Sequence, residues 1–353
     1  MNYYDKIQQL KNSPLFNLSL SSKELFHSNF IAWICHNYSF EFGSLLVEKF
    51  DLKLQNKIIT KTTRESKNLD LVIEFEGQKL IIENKVKAIP DKQQLIDYKT
   101  KNNPSDTYIL LTLIQPNFNL EEIGWNLLTY QGLSNLLNQL LSYISIDYHK
   151  AIITDYVNFI TILFDLTNMV AIDFSNGFFD FYGEDYRNFH DVRLHDLYLK
   201  NSYQKLIDEI KKYLNSKIIS HEIIVGQKYS HAINKNQIMI STTFVNGKSV
   251  VNIDYSNEDE LIYGIMLDGN RYNQYIYTWG TKAINISKTA DNLQNKYRWF
   301  KFNNIPDSEI YPKNGKKYNR FGDNMVYRSA KIKNTTTFSS LFEQIYMDLK
   351  KIL

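Results

Sequence analysis

One cysteine, Cys35, stands in 353 residues, which excludes an intramolecular disulfide and any cysteine-rich zinc site. The seven histidines (His27, His36, His149, His190, His195, His221 and His231) include no H-x-x-x-H pair that would set two ligands on one helical face, which argues against a histidine-based zinc centre. Long apolar runs are missing too. The opening MNYYDKIQQLKNSPLF lacks the apolar stretch of a secretion signal, and no segment approaches the roughly 18 apolar residues of a membrane span. A cytoplasmic location and no membrane partner are the expectation. Charge of one sign is also scarce: 41 Lys and Arg against 38 Asp and Glu leave a net +3, so any polyanion partner must be met by a local patch. What the chain does have is apolar content, 43% of its residues, and a length sufficient for two cores.

The spacing predicts a helix over 22–36, with Ser21 as N-cap and Glu24 three residues on, as in a capping box. Strand-like segments follow at about 57–65, 69–76 and 79–87, the last two joined at Gly77-Gln78. Pro90 opens a helix to about 101, and 107–114 (TYILLTLI) reads as a strand covered on both faces. Helices at 131–146 and 149–168 complete a first domain, residues 1–170. Beyond it, 171–353 reads as an aromatic-rich, largely antiparallel α+β domain for recognition or sensing. Its elements are a helix near 193–215, strands at 221–227, 236–245, 248–255, 261–268 and 271–279 with turns at Asn246-Gly247 and Gly269-Asn270, and a terminal helix at 338–352.

Glu-x-Lys occurs three times, at Glu65-Ser66-Lys67, Glu83-Asn84-Lys85 and Glu209-Ile210-Lys211, but only Glu83 and Lys85 interrupt an apolar strand with charge. Alternation puts both on one face with Ile81. A turn at Gly77-Gln78 pairs residues whose numbers add to 155, so that Asp70 faces Lys85, Val72 faces Glu83, and Asp70 lies diagonally from Glu83 at about 5–8 Å. Two carboxylates so close repel, and one lysine does not neutralise both; a divalent cation would. Such a pair suits a metal that binds phosphate and acidifies an attacking water, with the ammonium stabilising developing charge. The plainer alternative is a solvated hairpin face carrying a cross-strand Asp70–Lys85 pair.

The order helix, three strands, helix, strand, with Asp70 and Glu83-Asn84-Lys85 on the hairpin, resembles the PD-(D/E)XK nucleases, the restriction-endonuclease-like superfamily, over about residues 20–165. Gln94-Leu95-Ile96-Asp97-Tyr98 matches the Q-x-x-x-Y of its exonuclease-like branch, and ELFHSNFIAW is similar to the start of an uncharacterised bacterial branch. The proline of the family name is absent, since Asn68-Leu69 precedes Asp70. The resemblance implies an α/β core of αβββαβ order with a mixed central sheet flanked by helices. It implies Mg²⁺, with Mn²⁺ able to substitute, held by Asp70, Glu83 and the backbone carbonyl of Asn84, with Glu24 an added ligand unless it serves the capping box. Gln94 and Tyr98 join Asp70, Glu83 and Lys85 as catalytic residues. The implied activity is hydrolysis of phosphodiester bonds, in DNA before RNA, with bacterial restriction or antiviral defence as its setting.

Residues 296–333 carry ten Lys or Arg against three acids, interleaved with aromatics as in Tyr297-Arg298-Trp299-Phe300, and break the strand pattern as a long loop would. Lys313, Lys316, Lys317 and Arg320 are the candidate nucleic-acid contacts there; a solvated basic loop over an aromatic core is the competing reading. Two further readings stand beside the nuclease. One is a non-cleaving protein of the same fold that holds nucleic acid or a partner; the other is an interaction module that assembles a homo-oligomer.

Overall fold

The structure is a computed structural model that describes residues 3–19, 24–66, 69–226, 237–245, 247–258, 261–278, 285–303, 305–306, 309–313 and 315–353. Ser21 as N-cap, residues 22–23 of the first expected helix, Asn246 of the Asn246-Gly247 turn, and the ends of the expected strands at 227, 236 and 279 lie outside those residues. The chain divides into two units, Met1–Val170 with Glu184–Tyr198, and Ala171–Gly183 with Leu199–Leu353. The stretch Glu184–Tyr198, expected in the second half, therefore belongs with the first. No helix among the described residues is long and apolar enough to cross a membrane.

The first unit begins with α1 (Tyr3–Asn12), α2 (Pro14–Ser19), α3 (Glu24–Asn37) and α4 (Glu41–Lys49). A five-stranded mixed sheet follows in the order β1 (Lys61–Ser66), β2 (Leu69–Phe75), β3 (Gln78–Lys85), β4 (Thr107–Thr112) and β5 (Asn126–Thr129). β1, β2 and β3 run as an antiparallel meander, whereas β4 and β5 lie parallel to β3. Parallel neighbours need a crossover. The one between β3 and β4 is α5 (Lys92–Lys101), and after β5 come α6 (Tyr130–Leu140), α7 (Asp147–Met169) and α8 (Glu184–Asp191).

Local chemistry explains where these elements start and stop. β1 is shorter than expected because Ile59 gives its N–H to Ser39 O (3.1 Å), so the ladder with β2 begins at Lys61. α5 starts after Pro90 instead of at it: Asp91 is the N-cap and accepts the Gln94 N–H at 2.7 Å. α6 ends at Leu140 and tightens into a 3-10 turn at Leu141–Tyr143, a common way to finish a helix, instead of continuing to 146. β4 is buried from Tyr108 to Thr112, as a strand covered on both faces must be, and β5 was not expected from its four residues alone.

α9 (His195–Lys217) spans the division between units, and the second unit continues with β6 (Glu222–Val225), β7 (Gln237–Val245), β8 (Lys248–Glu258), β9 (Leu261–Asp268) and β10 (Arg271–Thr278). α10 (Ile286–Tyr297), β11 (Ile310–Tyr311), β12 (Asn319–Phe321), β13 (Met325–Lys331) and α11 (Phe338–Leu349) complete it. The sheet runs β11-β13-β10-β9-β8-β7-β6 with β12 added on β13, and among the described residues only β6 and β7 pair in parallel in it. One face is a row of buried apolar side chains, among them Ile240, Ile253, Ile265, Ile276 and Val326. Residues 296–333 are accordingly not one long loop. Met325–Lys331 pairs with β10 along seven residues, and its Val326 and Ala330 are buried in the core.

Candidate functional site

The β2–β3 hairpin closes with Phe75 opposite Gln78, so its two loop residues are Glu76 and Gly77, not Gly77 and Gln78. Glycine is needed at the second of these, where φ is +81°. The register is therefore Leu71↔Ile82, Val72↔Ile81 and Ile73↔Leu80, pairs that add to 153 instead of 155. Continued by one residue, it sets Asp70 directly across from Glu83. A shift of two preserves the pleat, so Asp70, Glu83 and Lys85 still share a face.

That face is not solvated. Val72, Ile81, Tyr108 and Leu110 on it form one apolar cluster with Leu95 of α5, Leu120 and Trp125, against which Tyr98 packs. The indole of Trp125 donates to Leu95 O (3.1 Å), which ties α5 to the start of β5. Glu83, at 2% exposure, is sunk at the end of this cluster, and its Oε1 takes the Lys85 ammonium at 2.6 Å. The lysine thus pairs within its own strand and not across to Asp70. Asp70 Oδ2 instead accepts the Asn84 backbone N–H at 2.7 Å.

Glu83 Oε2 is buried and receives no hydrogen bond from a donor group, although the Asp70 carboxyl lies within hydrogen-bonding reach of Glu83. Burial, with the charges of Asp70 and Glu24 added, lifts the Glu83 carboxyl from 4.5 to about 7, although Lys85 pulls the other way. Asp70 is raised by burial and by Glu24 against the opposing Asn84 N–H and Lys85. Burial alone would lower the Lys85 ammonium, but the carboxylates of Glu83, Glu24 and Asp70 outweigh it and the net shift is upward. Glu24, at the N-terminus of α3, is therefore within electrostatic reach of all three residues.

Gln94 and Tyr98 lie one turn apart on α5 and are joined, Gln94 Nε2 to Tyr98 Oη at 3.0 Å. The Tyr98 hydroxyl is raised by burial first and by the charges of Glu83 and Asp70 next, which brings it to the same cluster. Glu65, at the end of the first expected strand, has a φ of +49° and interrupts the ladder between the pairs Arg64↔Leu71 and Ser66↔Leu69.

What sequence reasoning missed lies on the opposite face of β3. The Asn84 side chain, 1% exposed, donates to Glu24 O (3.0 Å) and Ser28 Oγ (3.4 Å) and accepts the Tyr130 hydroxyl at 2.6 Å. It pins the start of α3 to the strand that carries Glu83 and Lys85. An asparagine between two charges gave no signal of this, because alternation shows only that it points away from them. His27 beside it is a packing residue: buried, bonded to Tyr156 Oη at 2.8 Å, and lowered by burial to about 3.

In the basic segment, Trp299 and Phe300 are fully buried and belong to the core, whereas Tyr311 and Phe321 are exposed. Lys317 pairs with Asp291 (3.2 Å), Arg320 donates to Ser287 Oγ (2.6 Å), and the Lys313 ammonium stands 4.8 Å from the centre of the Tyr311 ring. Lys316 is exposed beside them.

Among the described residues, no three His, Cys, Asp or Glu side chains gather as a ligand group of their own. A hard cation such as Mg²⁺ does not require three, since one or two carboxylates plus water and substrate phosphate complete its shell. The Glu83 Oε2 without a donor and the raised Asp70–Glu83 pair fit that kind of ion, because it would satisfy the one and relieve the other. No protein-family model, curated protein or solved structure matches this chain.

Proposed function

We propose that the protein is a divalent-metal-dependent nuclease, built on an αβββαβ core of PD-(D/E)XK type that runs from α3 to β4. One observation carries the reading: a glutamate and its lysine sit buried at the end of a sheet, beside a second carboxylate, with one glutamate oxygen left without a donor. A protein that only needed a stable hairpin would place apolar residues there, since uncompensated buried carboxylates are costly. Asp70 and Glu83 would hold Mg²⁺ or Mn²⁺, with Glu24 close enough to add charge, and the ion would supply a polarised phosphate and a more acidic water. Lys85, anchored on Glu83 Oε1, keeps a full positive charge aimed at the same spot, where it stabilises charge developing on phosphate oxygens. Tyr98, oriented by Gln94, is a neutral hydroxyl donor at the rim.

Incubating the protein with plasmid, linear DNA and RNA in Mg²⁺, Mn²⁺ or EDTA tests this directly. Cleavage is expected with metal and none with EDTA. Asp70→Asn and Glu83→Gln should each lower the rate at least about a hundredfold, the usual scale for losing a group that stabilises the transition state, with circular dichroism unchanged. Equal cleavage in EDTA, or wild-type rates in either variant, would end the assignment and leave the non-cleaving reading.

A further inference from the structure

The two faces of the second unit's sheet are covered differently. One face holds Tyr263, Tyr272, Ile276 and Val326 and packs on helices: Tyr272 donates to Asp348 of α11 (2.8 Å), and the Tyr263 ring meets Trp299, just past α10, at 6.2 Å. The opposite face gathers Ile262, Tyr275, Tyr277, Met325 and Tyr327 in a cluster whose members, among the described residues, all come from the strands themselves. The short strands beside β13 extend this second face. Tyr311 of β11 stands opposite Ser329 and Phe321 of β12 opposite Met325, so both rings lie on the Tyr327 side. They are 46% and 73% exposed, while Tyr277 and Tyr327 are half-buried.

We propose that this edge of the sheet, centred on Tyr311, Tyr327 and Phe321, is a platform on which the unpaired bases of a single-stranded nucleic acid stack. For nucleic acid among polyanions the inference rests on the nuclease reading above. Along β13 the three rings follow one another opposite 329, at 327 and opposite 325, steps of two residues or about 6.8 Å each. That is twice the ~3.4 Å rise per nucleotide of a duplex strand, so each ring takes a base of its own only from a strand whose bases are parted. Two cations stand at the Tyr311 end. The Lys313 ammonium lies 4.8 Å from the centre of the Tyr311 ring, and Lys331 follows Ser329 by two residues on the same face. Neither has a carboxylate partner among the described residues, and an exposed ammonium over a ring is held weakly enough to turn to a phosphate. Arg271, opposite Lys331, faces Asp268 across the β9–β10 turn and adds less, and Asp323 lies in the loop after Phe321. Lys317 and Arg320 belong to the other side, where they reach Asp291 and Ser287 of α10.

Fluorescence anisotropy of a labelled single-stranded DNA oligonucleotide with the full chain in EDTA measures binding apart from cleavage. Tyr311→Ala and Phe321→Ala should each weaken binding at least about fivefold, the lower end for one stacked base, without changing the slope of log affinity against log salt. Phe321→Trp, which keeps a ring, should bind as wild type. Lys313→Ala/Lys331→Ala should instead lower that slope by about 1.4, at ~0.7 per phosphate contact. All four side chains are exposed, so the variants should melt as wild type does. Curves for Tyr311→Ala/Phe321→Ala that superimpose on wild type overturn the inference. So does a loss confined to Lys317→Ala/Arg320→Ala, or a duplex bound as tightly through the same rings. Retention on anionic phospholipid vesicles through those rings, with no oligonucleotide bound, would make the surface a membrane contact and overturn it too. Ring-dependent strand binding by a protein that cuts nothing with any metal would sink the nuclease reading alone. Metal-dependent cleavage of single-stranded DNA at unchanged kcat/KM in Tyr311→Ala/Phe321→Ala would sink the platform alone.

Discussion

Glu83 is a glutamate held near neutrality by its surroundings, and this makes pH a probe of the site. Its carboxyl ionises near 4.5 when unfolded and at about 7 in the fold, so between those values the native state binds a proton that the unfolded state has released. Stability therefore falls as pH rises from about 4.5 to 7, by about 3 kcal/mol for a shift of this size in a fully buried group. We expect metal-free protein to unfold at lower urea at pH 8 than at pH 5, and Glu83→Gln to lose most of that difference. A metal must displace the same proton. Mg²⁺ affinity by calorimetry should thus drop up to about tenfold per pH unit below 7 and level off above it. Affinity flat from pH 6 to 8 would contradict a Glu83 ligand. Lys85→Ala makes a separate test, because the ammonium lowers the Glu83 carboxyl while serving the phosphate. Turnover should fall at least about a hundredfold at saturating metal, and the acid limb of the pH–rate profile should move upward. A variant restored to wild-type turnover by more metal would show that Lys85 acts only by holding Glu83.

Among the elements, β3 carries two chemistries on its two faces, and strand alternation is what separates them. Glu83 and Lys85 point to the α5 side, whereas Asn84 between them reaches back to Glu24, Ser28 and Tyr130. The inserted polar network is buried and satisfied, so removing one member leaves another exposed to nothing. Tyr130→Phe deletes the donor to Asn84 Oδ1 without opening a cavity and should cost about 1–3 kcal/mol in chemical denaturation. Because Asn84 positions the start of α3, the same change should loosen Glu24 relative to the carboxylates and weaken metal binding modestly. A Tyr130→Phe protein as stable as wild type would mean the amide finds another partner and the network carries no strain of position.

At the scale of the molecule, the division of the chain is not where sequence composition changes. Lys87, just beyond β3 and 7% exposed, gives its ammonium to Arg193 O (2.8 Å) and Asp196 Oδ1 (3.1 Å), both in the returning stretch Glu184–Tyr198. A fragment of residues 1–170 lacks those partners, and a buried charge parted from its carboxylate costs about 3–5 kcal/mol. We expect 1–198 to unfold cooperatively and 1–170 to be weaker by that order, or to precipitate on expression. Equal stability of the two fragments would show that the returning stretch is dispensable to the first unit.

Within the first unit the pattern of side chains along the chain was enough to find α3, the meander, α5 and β4, because each has a strong period or a cap of its own. Parity alone put Asp70, Glu83 and Lys85 on one face, and it survived an error of two in the register, since the pleat repeats every two residues. Only the tertiary structure decided that this face is covered. Strand alternation cannot distinguish water from α5, and the covering depends on Trp125 reaching Leu95, thirty residues away. The same holds for residues 296–333, where a charged sequence looked like a loop. Val326 and Ala330 reach the core only because β10 lies beside them, and Trp299 and Phe300 are buried by partners remote in sequence. Residue types and local spacing specify which groups are available and which way alternate ones point. Burial, and with it the shifted carboxyl of Glu83, depends on what distant segments are laid against them.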